Sequence, residues 1–151
     1  MQMNNVYPPW WDTTVTIYNK HEDKQTNMVT WYRTVVEGAF WKYIGNKVTV
    51  GDTTLQSDNT ICRIREDSRF LEPFEWQALG NDERDEYFTL AGGDIIIKGE
   101  VSDTISEYTK GQRSTDIVAK YKKLQGCMEI EQVTIDTGNV LNSEHYHVIG
   151  K

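Results

Sequence analysis

The spacing of apolar and polar positions along the chain is dominated by a period of two. In Thr13-Thr14-Val15-Thr16-Ile17-Tyr18, Val15 and Ile17 face one way and Thr14, Thr16 and Tyr18 the other, the pattern of a half-buried strand. Asn19 to Asn27 is polar and reads as a turn or loop. Thr30 to Tyr43 predicts a longer strand region in which Trp31, Arg33 and Val35 share one parity and Tyr32, Thr34 and Val36 the other. Gly38 interrupts it as a bulge. Ile44-Gly45-Asn46-Lys47 carries a turn signal, Val48-Thr49-Val50 a short strand, and Gly51-Asp52 a second turn. In Thr60 to Arg65, Cys62 and Ile64 point inward and Arg63 and Arg65 outward.

The densest apolar run is Ile95-Ile96-Ile97, entered through Gly92-Gly93-Asp94. Three β-branched residues in a row suit a strand covered on both faces. With Tyr87-Phe88-Thr89-Leu90 before it, the stretch reads as a central hairpin. Val101 to Ile105 reads as a turn into a helical start with Asp103 as N-cap, ended by Gly111.

The period changes at Ser114 to Leu124. Ile117, Tyr121 and Leu124 fall at i, i+4 and i+7, the stripe of an amphipathic helix. Ser114 is placed to cap it, Asp116 lies in the first turn, and Lys120, Lys122 and Lys123 crowd the last turn, where they complement the dipole. Gly126 stops it. Cys127 to Ile135 returns to period two with a phase shift, since Met128 and Ile130 differ in parity from Val133 and Ile135. A bulge near Glu131-Gln132 reconciles them. Asp136 to Asn139 reads as a turn, and His145 to Lys151 as a closing strand.

Seven or eight short strands and one helix predict a mainly β, α+β fold: a small antiparallel β-barrel or sandwich-like barrel with the helix near the C-terminus. The 151 residues are expected to form a single domain, with an extended N-terminal arm over residues 1–11 and an acidic loop or insertion over residues 66–86. A short helical excursion is expected around Glu75-Trp76-Gln77-Ala78-Leu79.

Charge narrows the function. A net charge of −7 and a pI of about 4.9 argue against a protein whose task is to grip nucleic-acid phosphates. Arg63, Arg65 and Arg69 are the only arginine cluster, best read as an exposed face or ion-pair partners. The N-terminal residues lack a signal peptide's pattern, and no apolar run approaches the ~20 residues of a membrane-spanning helix. A soluble protein, made in a cytoplasm and without a membrane partner, is expected.

Candidate chemistry is sparse. No HExxH, GxSxG or phosphate-binding glycine loop occurs. His145 and His147 share a strand face but lack a third metal ligand, and His21 sits in a polar stretch. The carboxylates of 66–86 lack the spacing and glycine of a calcium loop. Cys62 and Cys127 form no CxxC and read as two free, buried thiols, though a disulfide stays open. No catalytic residue, metal or cofactor is expected. Aromatic residues make up 11% of the chain, a composition that suits sheets and interfaces. Tyr7, Trp10 and Trp11 in the arm, and Trp76 in the acidic segment, are the candidates for a subunit interface. The arm either folds back onto its own domain or inserts into a neighbour. Replacing Trp10 and Trp11 together by alanine is expected to weaken assembly more than the monomer fold.

Three pieces of the chain together resemble a family of small neck proteins of tailed phages and prophages of Gram-positive bacteria, the head–tail connector, head-closure (stopper) or minor capsid proteins. They are Asp12 to Asn19 with Trp31 to Trp41, Phe88-Thr89-Leu90 with Gly93 to Val101, and His145 to Lys151. The resemblance implies a barrel subunit that forms a homo-oligomeric ring in the virion neck, contacts portal or adaptor and tail proteins, and lines or seals a channel through which DNA passes without sequence-specific binding. The acidic segment 66–86 departs from that pattern and leaves open connector, stopper or tail terminator. Two other classes stand beside it: a monomeric β-barrel that binds carbohydrate or peptide through its aromatics, and a metal-dependent hydrolase using His145 and His147.

Overall fold

A computed structural model describes residues 6–137 and 143–151, with the backbone alone at 46–48 and 54–57. Six strands, β1 (Thr13–Glu22), β2 (Val29–Val50), β3 (Thr53–Arg65), β4 (Ile95–Lys98), β5 (Cys127–Asp136) and β6 (His145–Gly150), close into a barrel in the order β1-β2-β3-β6-β5-β4. Every neighbouring pair is antiparallel. Two short helices, α1 (Pro73–Gln77) and α2 (Asn81–Arg84), sit between β3 and β4, and α3 (Ser114–Leu124) between β4 and β5. The expected small antiparallel barrel with a helix near the C-terminus is the fold. Of the turn expected at Asp136 to Asn139, Asp136 is the last residue of β5, and residues 138 and 139 lie outside the described residues.

The barrel has two apolar layers. Val15, Ile17, Val36, Cys62, Ile64, Ile96, Met128, Ile130 and Val148 fill the interior, closed by Phe88, Leu90 and Tyr146. The alternate residues of β1 and β4, Tyr18, Ile95 and Ile97, form a second cluster outside the barrel wall with Ile105, Ile117, Val118 and Tyr121. The isoleucine run is therefore buried on both faces because α3 lies over that wall.

This cover corrects the half-buried reading of β1. Thr16, on its outer parity, and Asn19, on the parity of Val15 and Ile17 where a loop was expected, are both fully buried. Thr16 Oγ1 donates to Gly99 O (2.8 Å) and accepts from Val101 N (3.1 Å), and Asn19 Nδ2 donates to Thr89 O (2.6 Å). Burial without such partners costs each group about 1–3 kcal/mol. β1 also continues to Glu22, where Asp23 to Met28 form the hairpin turn, so much of the expected loop is strand.

Other expectations change where long-range pairing outweighs local signals. Ile44 to Lys47 is not a turn: β2 runs on to Val50, paired residue by residue with β3. Tyr87 to Leu90 is not a hairpin partner, because β4 pairs with β1 and β5, while Phe88 makes one parallel bridge to Phe70. Val101 to Ile105 is irregular. Asp103 caps nothing there; its carboxylate accepts from Tyr121 Oη and Lys120 Nζ (2.9 Å), tying the connection to α3. Ser114 is the first residue of α3 and not its cap. Its N–H donates to Glu107 Oε1 (2.8 Å). The buried stripe is Ile117, Val118 and Tyr121, whereas Leu124 is 66% exposed.

Both bulges lie where the pattern put them. Thr13 pairs with Ala39 and Val15 with Val36, so β2 holds an extra residue around Gly38, whose φ of 70° glycine adopts without strain. β5 shifts register between Ile130 and Gln132, which returns Val133 to the core.

Candidate functional site

The described part of the arm, residues 6–11, ends in a turn. Trp11 N donates to Pro8 O (3.0 Å), which places Tyr7 and Trp11 on one side and Trp10 on the other. Trp11 is 4% exposed; its ring stacks on Tyr7 (5.4 Å) and meets the His145 ring edge-on (5.1 Å). Tyr7 Oη donates to Glu144 O (2.5 Å) and accepts from Glu66 N (3.0 Å). Arg65 Nη2 donates to Trp11 O (2.9 Å), with the guanidinium over the Tyr7 ring. Trp10 remains 65% exposed.

Trp76 is also internal. It is fully buried in α1, its Nε1 donating to Tyr87 O (3.1 Å). Beside it Arg84, 2% exposed, donates to Asn81 Oδ1 (2.7 Å), Tyr32 Oη (3.2 Å) and the carbonyls of Gln77 and Leu79, and its guanidinium packs between the Tyr32 and Trp76 rings. Among the described residues no carboxylate pairs with it; carbonyl dipoles carry the charge. The acidic segment is thus anchored by an aromatic–arginine cluster, with its carboxylates outside. Of the four interface candidates, the structure brings Tyr7 and Trp11 together, buries Trp76 elsewhere, and leaves Trp10 presented to solvent.

His145 and His147 lie on the outer face of β6 and are each engaged. His145 Nδ1 donates to Ser143 O (2.7 Å), and His147 Nδ1 accepts from Arg63 Nε (3.2 Å). Partial burial, and then the Arg63 charge, hold His147 below the usual histidine range. Among the described residues, no group of three or more His, Cys, Asp or Glu is arranged to hold a metal ion. The three clustered arginines are all committed within the chain: Arg63 to His147, Arg65 to the arm, and Arg69 to Asp67 (2.8 Å). Cys62 and Cys127 are free and buried in separate apolar layers, and burial pushes both thiols up to about 12.

One concavity was not visible in the sequence. A groove of about 890 Å³ opens between the outer part of the β2–β3 hairpin and the turn from α3 into β5. Trp41, packed against Gly126, and Tyr43 form its aromatic side; Lys98, Lys122 and Lys151 converge from β4, α3 and the residue after β6. Asp58 on the wall accepts from Tyr43 Oη (2.6 Å). Residues 98, 122 and 151 have no local spacing in common, so only the closed barrel reveals them as neighbours.

Residues 10–151 match the family model of DUF6751, a family of unknown function. The chain belongs to DUF6751. No curated protein and no solved structure matches it. The DUF6751 match takes in the whole barrel, the segment holding Trp76 and Arg84, and every residue of the groove; Tyr7 precedes it. Among the described residues, no helix is long and apolar enough to cross a membrane.

Proposed function

We propose that the protein is a structural subunit of a tailed-phage neck, forming a ring that joins portal to tail around the DNA channel. The observation that carries this reading is the β2–β3 hairpin. β3 pairs with β6 only from Thr60 onward, so seven residue pairs, from Ile44↔Asn59 to Val50↔Thr53, extend past the barrel with no second strand neighbour among the described residues. An isolated two-stranded ribbon is marginal in water, so a ribbon of this length is a device for reaching another subunit. Trp10, held outward by the Pro8–Trp11 turn, supplies a second anchor of the kind that dominates interfaces. Head-to-tail contacts between identical subunits close into rings when the rotation permits. The acidic net charge suits a channel that DNA must cross without sticking. The sequence likeness to connector and stopper proteins points the same way.

The test is cryo-electron microscopy of particles from a strain carrying a tagged copy. A ring of density between head and tail is expected, and its symmetry separates connector, stopper and terminator. Particles that lack the protein overturn the reading. The groove beside Trp41 and Tyr43 favours a second reading, a monomeric carbohydrate- or peptide-binding module. Saturable binding of a glycan or peptide by a chain that stays out of particles would establish that one instead.

A further inference from the structure

The groove and the acidic segment are complementary in two independent respects. The first is charge. Among the described residues the ion pairs are Arg69–Asp67, Lys120–Asp103 and His145–Asp136, so Lys98, Lys122 and Lys151 converge on the groove with no carboxylate partner. Glu72 and Glu75, flanking the start of α1, are exposed and equally unpaired. The second is apolar surface. Between those two carboxylates stands Phe74, 85% exposed, the most exposed large apolar side chain described. The groove offers the Trp41 and Tyr43 rings and ample volume for a phenyl group.

The two surfaces do not meet within one chain. The groove includes Lys98, which pairs with Val15 at the start of β1. The segment bearing Phe74 is fastened at the other end of that strand, where Gln77 Nε2 donates to Lys20 O (2.9 Å) and Gln77 Oε1 meets His21 Nδ1 (2.6 Å). At about 3.3 Å per residue these places are ~17 Å apart along β1. We propose that the groove seats the Glu72-Pro73-Phe74-Glu75 tip of a second copy of the chain, with Phe74 against Trp41 and Tyr43 and the two carboxylates among the lysines. The proposal rests on the ring-forming reading and names one of its contacts. Because socket and knob are different patches, the contact is head-to-tail and repeats from copy to copy until it closes.

The experiment is sedimentation equilibrium of the full chain at low and high salt, with three variants. Phe74→Ala removes the knob; Lys98→Glu with Lys122→Glu reverses the groove; Glu72→Lys with Glu75→Lys reverses the tip. All these side chains are exposed, so thermal midpoints are expected to match the unsubstituted chain. The unsubstituted chain should associate, and less so at high salt. Each variant alone should weaken association by about tenfold or more, since like charges oppose across the contact or its apolar centre is lost. Mixing the groove-reversed and tip-reversed chains restores opposite charges at both kinds of contact, so the mixture should associate where neither does alone.

A chain that stays monomeric at low salt up to its solubility limit, association untouched by the variants, or a mixture that fails to recover overturns the proposal. An oligothymidylate of about twelve nucleotides distinguishes a nucleic-acid groove. Binding that the lysine reversals abolish, with self-association unchanged by Phe74→Ala, assigns the groove to that ligand and overturns the self-docking. If the variants enter particles and form rings as the unsubstituted chain does, this contact fails while the neck reading stands. If the unsubstituted chain never enters particles but the mixing result holds, the neck reading fails and the self-contact stands.

Discussion

Asp94 is the residue at which two opposing effects can be weighed most directly. Its carboxylate is nearly enclosed and accepts from Asn19 Nδ2 (2.9 Å), Lys20 N (3.0 Å) and Ala91 N (3.1 Å), tying the entry to β4 to the end of β1. Burial pushes its carboxyl up to about 6, against the three hydrogen bonds and the Lys20 charge, which pull it down. A pKa raised above the unfolded value of 3.8 means that the native state binds the proton more tightly. The linked stability is then fully present below pH ~4 and lost as pH rises through about 6. A shift of about two units corresponds to about 3 kcal/mol, of which about 2–3 kcal/mol falls between pH 4 and pH 7.

Asn in place of Asp removes the titration but keeps the shape and one acceptor. Asp94→Asn should therefore be about 2–3 kcal/mol worse, relative to the natural chain, at pH 4 than at pH 7. Asp94→Ala strands three donors, each costing about 1–3 kcal/mol, and should lose about 3–9 kcal/mol, again more at pH 4 than at pH 7. Urea unfolding followed by tryptophan fluorescence at the two pH values measures both. A flat difference between the natural chain and Asp94→Asn, or one of opposite sign, would refute the argument and show that the hydrogen bonds outweigh burial.

At Gly150 an added Cβ would stand 2.1 Å from Glu129 O, a backbone atom of the neighbouring strand. Gly150→Ala should force β5 and β6 apart, cost about 2–3 kcal/mol and lower Tm by about 5–10 °C in calorimetry. Arg84→Lys loses the planar fork that reaches several acceptors at once and should cost about 2 kcal/mol in urea unfolding; unchanged stability would show that one ammonium suffices. Neither cysteine should react with a maleimide in the native barrel at pH 8, and both should react in denaturant, as read by mass spectrometry. Because Trp11 is buried, the double tryptophan substitution would damage the fold itself. Trp10→Ala alone should leave Tm within about 2 °C and reduce assembly, measured by sedimentation.

Much of the barrel was legible because strand alternation is local. Val15 and Ile17, the Gly38 and Glu131-Gln132 bulges and the limits of α3 all follow from spacing within a few residues. What was not legible depends on partners far away in sequence. The turn signal at Gly45-Asn46 is overridden because Asp58 and Ser57 supply ladder partners. Thr16 and Asn19 look solvent-facing until their hydrogen bonds to Gly99 and Thr89 are seen. Trp76 and Arg84 lie in a segment whose carboxylates advertise exposure, yet each is the other's cover. The groove lysines come from three elements and meet only when the sheet closes.

The length of β2 has a mechanical meaning. One strand of 22 residues belongs to the barrel wall as far as Tyr43 and to the projecting ribbon from Ile44 to Val50. A ladder of this kind resists load anisotropically. Tension along the ribbon strains many rungs at once, in shear, whereas force across it opens them one after another, like a zip. With no loop between ribbon and wall, tension at the tip passes into the barrel as a pull along its own strand. The hairpin is therefore a tie-rod rather than a hinge, stiff along its axis and compliant to bending.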